Sequence, residues 1–201
     1  GKVNSYFYMQ KNNNELLEQN AKLQNELYAL KSYLNDLALD SIQTNSFVSD
    51  SMVTAQFRFI PSNVVNISFF GSNNYITLDK GLQDGVKADM GVVSQNGIVG
   101  VVLAVSDHFS VVIPIVNPKF RLSGKLKNSD NSGSIVWDGK DLHYAQLEQL
   151  PKHEVFREGD TVVTSFSRIF PKDMVIGYVV GQGKTKDDNF NAFKIRLATD
   201  F

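Results

Sequence analysis

The sequence predicts a mainly β protein that begins with one long helix. Three observations lead there. Residues 4–40 contain neither glycine nor proline and repeat leucine at steps of four and three. From residue 53 onward the apolar pattern alternates with period two, broken by glycine, asparagine and aspartate turns. No later stretch carries a helical period, which argues against a parallel α/β sheet.

Composition narrows the function classes. Apolar residues make up 42% and charged residues 20% of the 201, so most of the chain can fold around a core. The net charge is -1 and no lysine–arginine cluster could follow a phosphate backbone, which argues against nucleic acid as a partner. The absence of cysteine excludes disulfides, thiolate zinc sites and a cysteine nucleophile. No run of eighteen apolar residues occurs, so no helix within this sequence can span a bilayer.

The helix comes first. With Leu16 at heptad position d, Asn20 falls at a, Leu23 at d, Leu27 at a, Leu30 at d, Leu34 at a and Leu37 at d. Counting back, Asn13 also falls at a. That is the seam of a coiled coil, and Asn13 and Asn20 at a positions favour a parallel, in-register dimer in which each amide meets its twin. At 1.5 Å per residue the stretch is roughly 55 Å long, a dimerisation stalk. The other reading is a helix packed on its own domain, with the stripe as its buried face.

Residues 41–52, "SIQTNSFVSDSM", read as a linker. Beyond them "AQFRFIP", "VVNISFF", "YITLDKG", "GIVGVVLAV", "SVVIPIV", "FRLSGKL", "SGSIVWDG", "LHYAQLEQL", "DTVVTS", "MVIGYVVG" and "AFKIRLAT" have the character of short strands. An internal echo organises them. "MGVVSQ" then "GIVGVVLAV" matches "GDTVVTS" then "MVIGYVVGQ", so that Val92 and Val93 correspond to Val162 and Val163, and Gly100 to Gly177. The second copy carries about seven extra residues, including "SRIFPKD". A strand–turn–strand unit repeated in this way predicts two small barrels, or two halves of one. The first is assigned to 53–115, completed by 176–201, and the second to 116–175.

Catalysis finds little support in the residues. Ser165 in "GDTVVTSFSRIFPKDMVIG" lacks the G-x-S-x-G elbow. His108, His143 and His153 carry no local nucleophile–base signature, and none is paired at i,i+4 for a metal. "DKGLQDG" lacks the spacing of a calcium loop.

Two stretches resemble a known family. "YITLDKGLQDGVKADMGVVSQNGIVGVV" is similar to one signature of the rod shape-determining MreC family, and "EGDTVVTSFSRIFPKDMVIGYVVG" resembles its second, G-D-x-V-x-T-S-G followed by F-P-x-G and V-G-x-V. The likeness covers roughly residues 53–200, and the preceding coiled coil fits the family too. Two glycines of the second signature are replaced here, by Phe166 and Asp173.

The resemblance implies paired β-barrels of chymotrypsin-like topology without a working triad. It further implies a non-enzymatic scaffold of the cell-elongation machinery in the periplasm, anchored to the inner membrane through a helix upstream of this chain. Implied partners are a class B penicillin-binding transpeptidase, MreD, RodZ and a second copy of the chain; no cofactor is implied. The loop holding Phe166, Arg168, Ile169 and Phe170 is the first candidate contact, because aromatic and arginine side chains dominate binding hot spots. Phe109, Phe120 and Tyr178 are further candidates. Two alternatives stay open on the residues: a serine protease-like envelope hydrolase, and a carbohydrate-binding module using Trp137 and other aromatics.

Overall fold

The computed structural model describes residues 2–42, 57–71, 73–165, 167–185, 187 and 189–201, with helix side chains from 13 to 34. The chain divides into two compact units, Gly1–Pro61 and Ser62–Phe201.

The first unit is built on helix α1, Lys2–Ile42. In the register above, Ala21 and Tyr28 occupy b, and Asn25 and Ser32 occupy f. These four are half-buried, while Leu16, Leu23, Leu27, Leu30 and Leu34 on the opposite face are 45–62% exposed. What covers the b/f face is the segment 57–60, expected to be part of a strand and found instead as an irregular strap. The Asn25 amide grips its backbone, with Nδ2 donating to Phe59 O (3.3 Å) and Phe59 N–H donating to Oδ1 (2.6 Å). Phe57 and Phe59 lie against the Tyr28 ring, at centroid distances of 6.4 and 5.5 Å. The two rings alternate as in a strand, but that alternation serves to place both against one tyrosine. Residues 43–52 of the expected linker lie outside the described residues.

The second unit holds eleven strands among the described residues. Five form an open sheet: β1 (Val64–Phe70), β2 (Asn73–Leu78), β3 (Gly91–Val93), β4 (Ile98–Val105) and β5 (Ser110–Pro114), in the order β1-β2-β5-β4-β3. The other six close into a barrel: β6 (Leu122–Leu126), β7 (Ser132–Val136), β8 (Tyr144–Pro151), β9 (Thr161–Thr164), β10 (Val175–Gln182) and β11 (Phe190–Leu197), in the order β10-β11-β8-β7-β6-β9. Among the described residues one of the two expected barrels is closed, and the five-stranded sheet stands in the place of the other. The first half is not completed by 176–201: β10 and β11 belong to the closed barrel. The tail beyond β11 reaches back to the sheet. There the Thr199 hydroxyl donates to Ile98 O (2.8 Å), and Phe201 lies 6.3 Å from the Phe69 ring.

The internal echo is a repeat of topology. Adding six to each label turns the sheet order β1-β2-β5-β4-β3 into β7-β8-β11-β10-β9, which is the barrel without β6. Register agrees. Val92 faces Gly100 as Val162 faces Gly177, and Gly100 faces Pro114 as Gly177 faces Leu197. A Cβ on Gly100 would collide with Ile113 O, and one on Gly177 with Arg196 O. The two glycines are thus required by close approach of the neighbouring strand. Both halves share one core: Ile98, Ile115 and Val116 of the first pack with Leu147, Phe170, Phe193 and Ile195 of the second.

Candidate partner-binding surfaces

The signature stretches fold as structural joints. In the first, Asp79 ties the start of β1 to the end of β2, accepting from the Asn63 N–H (2.8 Å) and from Asn63 Nδ2 (3.0 Å). Asp84 accepts the Gly81 N–H (3.0 Å) and pairs with Lys80. The backbone bond to Gly81 and the lysine bond hold its carboxyl below the usual value. Gly85 follows with φ of 88°, a left-handed position suited to glycine.

In the second, Thr164 fastens the inserted loop at both ends. Its hydroxyl donates to Pro171 O (2.8 Å) and accepts the Met174 N–H (3.0 Å). Asp173, at a position where the signature has glycine, has φ of 63°. The Ser167 hydroxyl accepts the N–H groups of Ile169 (3.1 Å) and Phe170 (3.2 Å). Ser165 is 6% exposed, and its hydroxyl donates to Ser123 Oγ (2.7 Å). No described histidine makes a hydrogen bond with it. His143 instead pairs with Asp141 (2.9 Å), whose carboxyl is lowered chiefly by accepting the His143 backbone N–H.

The contact candidates separate by burial. Phe166 lies outside the described residues. Arg168 and Ile169 are exposed, as are Phe109 and Tyr178. Phe170 and Phe120 are buried in the shared core, which corrects their reading as contact residues. Phe170 stands against Gly91, where a Cβ would strike its ring, so this part of the loop is a plug between barrel and sheet. Trp137 is also buried and its Nε1–H donates to Asp141 O (2.7 Å), so it offers no platform for a sugar. Among the described residues no cluster of histidine, aspartate or glutamate is suited to a metal.

Among the described residues, two apolar surfaces are exposed. One is the leucine seam of α1, with Asn13 and Asn20 in line and also exposed; the Leu37 side chain lies outside the described residues. The other is β1, where Val64, Val65, Ile67 and Phe70 are all more than half exposed. This second surface was missed in the sequence, where "VVNISFF" looks like any other buried strand.

The order of strands, the repeated Val–Gly pairing and the two joints are the features by which the chain can be compared with known proteins. Residues 64–201 match the family model described as "Rod shape-determining protein MreC, barrel core". The chain belongs to the MreC family. A curated relative, cell shape-determining protein MreC of Listeria monocytogenes serovar 1/2a (strain ATCC BAA-679 / EGD-e), is 29% identical over 170 residues, covering 82% of this chain. The chain spans 55% of that relative's length. A solved structure of MreC from Listeria monocytogenes is 27% identical, with a TM-score of 0.63 over 92% of this chain and 86% of the other. MreC in a complex with penicillin-binding protein PBP2 from Helicobacter pylori is 15% identical, with a TM-score of 0.50 over 62% of this chain and 77% of that one. At that identity the likeness to the second MreC is one of fold.

Proposed function

We propose that this chain is a non-enzymatic periplasmic scaffold of the cell-elongation machinery. It pairs with a second copy through α1 and binds a class B penicillin-binding transpeptidase through its β part. MreD and RodZ are further partners in this reading, and a helix upstream of the chain anchors it to the inner membrane. The observation that carries self-association is the division of labour on α1. The strap occupies the b/f face, so the five exposed leucines of the a/d seam are not the helix's means of packing on its own unit. A leucine seam left in water is unfavourable, and a parallel partner helix removes it. Support for the synthase comes from the complex of the Helicobacter pylori MreC with PBP2. The buried, hydrogen-bonded states of Ser165 and Trp137 speak against the hydrolase and carbohydrate alternatives.

Sedimentation of the variant with Leu23, Leu27, Leu30 and Leu34 all changed to alanine tests the pairing. The expected outcome is a monomer whose β unit melts as before; a variant that stays dimeric moves self-association to the β part. Cysteines introduced at positions 13 and 20 should cross-link to their own equivalents if the helices are parallel and in register.

A further inference from the structure

The repeat gives the outer wall of the barrel an internal control. Gly100 corresponds to Gly177 and Pro114 to Leu197, so Val101 of β4 corresponds to Tyr178 of β10, and Ile113 of β5 to Arg196 of β11. Val101 faces Ile113 as Tyr178 faces Arg196. In the sheet this pair is apolar, half-buried and packed against the core that the two halves share. In the barrel the same pair is a tyrosine 43% exposed and an exposed arginine. A face that serves one half for packing within the chain is thus exposed in the other. Its two apolar residues are exchanged there for the types that dominate binding hot spots.

The row extends across three strands. Arg196 also faces Tyr144 of β8, so the arginine stands between two tyrosines on one face. Lys194, two residues back along β11 on the same face, holds its ammonium over the Tyr144 ring, 4.2 Å from the centroid. Beside Tyr144 and Lys194 the wall sinks into a hollow of about 180 Å³ rimmed by Asp138, Lys140 and Asp141, a volume that holds one ring-sized group. The two acids of the rim are already engaged. Asp141 pairs with His143 (2.9 Å), and Asp138 accepts the Lys140 N–H (3.2 Å). Among the described residues neither Arg196 nor Lys194 is ion-paired. The outward positions around these two cations, Thr161, Tyr178, Val180, Tyr144 and Gln146, carry no acid. The row also lies in the half of the β10–β11 ribbon far from the turn that joins the two strands.

We propose that this wall of the barrel is the surface on which the chain takes its transpeptidase partner, through an aspartate or glutamate of that partner. The carboxylate seats on the planar fork of Arg196, with the Lys194 ammonium as the second cation. Tyr178 and Tyr144 flank the contact and exclude water from it, which strengthens a charged bond that solvent would otherwise screen. A ring-sized side chain beside the acid fills the hollow. Charge complementarity identifies the partner's chemistry: two neighbouring cations with no acid of their own call for a carboxylate. The two tyrosines call for a protein surface to bury against, since their rings lose little rotamer freedom on doing so. This deepens the partner-binding reading above and rests on it.

Calorimetric titration of the whole chain with the periplasmic domain of a class B penicillin-binding transpeptidase, at low and at high salt, tests the wall. Arg196→Gln removes the charge at similar length. It should weaken binding at least tenfold at low salt and flatten the salt dependence, with the melting temperature unchanged. Arg196→Lys, which keeps the charge and loses the fork, should fall between that variant and the unchanged chain. Tyr178→Ser should weaken binding several-fold. Lys119→Gln, at an exposed lysine that precedes β6, three strands from β11 around the barrel, should leave affinity as it was. Unchanged affinity in both Arg196→Gln and Tyr178→Ser overturns the proposal and leaves the partner-binding reading intact. So does equal weakening by Lys119→Gln, which would mean diffuse attraction between charged proteins. A lowered melting temperature in both Arg196→Gln and Tyr178→Ser would mean that the row holds the wall together, and loss of the dimer on sedimentation of Arg196→Gln would assign the wall to a second copy; either overturns the proposal as well. If the unchanged chain fails to bind the transpeptidase at all, the partner-binding reading falls and takes this proposal with it.

Discussion

Asp173 stands in a left-handed conformation, φ 63°, where the family signature has glycine. Aspartate is among the few side chains that visit this region with modest strain, because its carboxylate can bond locally. The loop therefore keeps its turn without its glycine. Asp173→Gly should raise stability by up to about 1 kcal/mol, roughly 2–4 °C in melting temperature for a unit of this size. Thr164→Val should do the reverse. It strands the Met174 N–H and Pro171 O that the hydroxyl now serves, for about 1–3 kcal/mol. Thermal melts of the two variants check both signs. The sequence could raise the question of this loop but not answer it. Ser165 was readable as non-catalytic from its missing elbow. Its actual partner Ser123, 42 residues away, left no local trace.

At the scale of elements, the helix was legible because leucine at steps of three and four records a face directly. The strap was not. The alternation of Phe57 and Phe59 says only that two rings share a side; the surface they share it with, Tyr28 and Asn25, is about thirty residues upstream. Burial of the Tyr28 phenol by the strap raises its pKa above the usual tyrosine value. Because strap and seam occupy opposite faces, they can be broken separately. Asn25→Ala should speed tryptic cleavage after exposed Arg58 several-fold while sedimentation still reports the dimer. Loss of the dimer in that variant would mean the strap supports the seam after all. Strand β1 shows the opposite failure: its type was read from the sequence and its exposure was not, since exposure depends on what packs beside a strand and not on its own residues.

For the molecule as a whole, the echo of "GVVSQNGIVG" in "TVVTS…MVIGYVV" was visible, and it corresponds to a repeated strand order. What it could not reveal was which strands close on which. Every strand here is short, three to eight residues, and carries apolar side chains, so affinity alone does not choose partners, and β10 and β11 were assigned to the wrong half. Gly100 and Gly177 give a matched test of the repeat. Alanine at either forces two backbones apart and should cost at least ~2 kcal/mol. The loss should be of similar size at both, because the collision is with the equivalent carbonyl. Denaturant titration of the two variants would show it; a tolerated alanine at either position would mean the two joints are not equivalent.

A closed barrel has no free edge, so among the described strands edge-to-edge pairing falls to the sheet, where "VVNISFF" is the more exposed apolar edge. The expectation is a molecule whose solubility depends on the ratio of chain to whatever pairs with it. Made in excess, the surplus would stack edge to edge and scatter light at a rate rising steeply with concentration; made in proportion, it would stay dispersed. Light scattering from a dilution series, with and without an equimolar partner, would read that ratio directly, and a clear solution at every concentration of the chain alone would refute it.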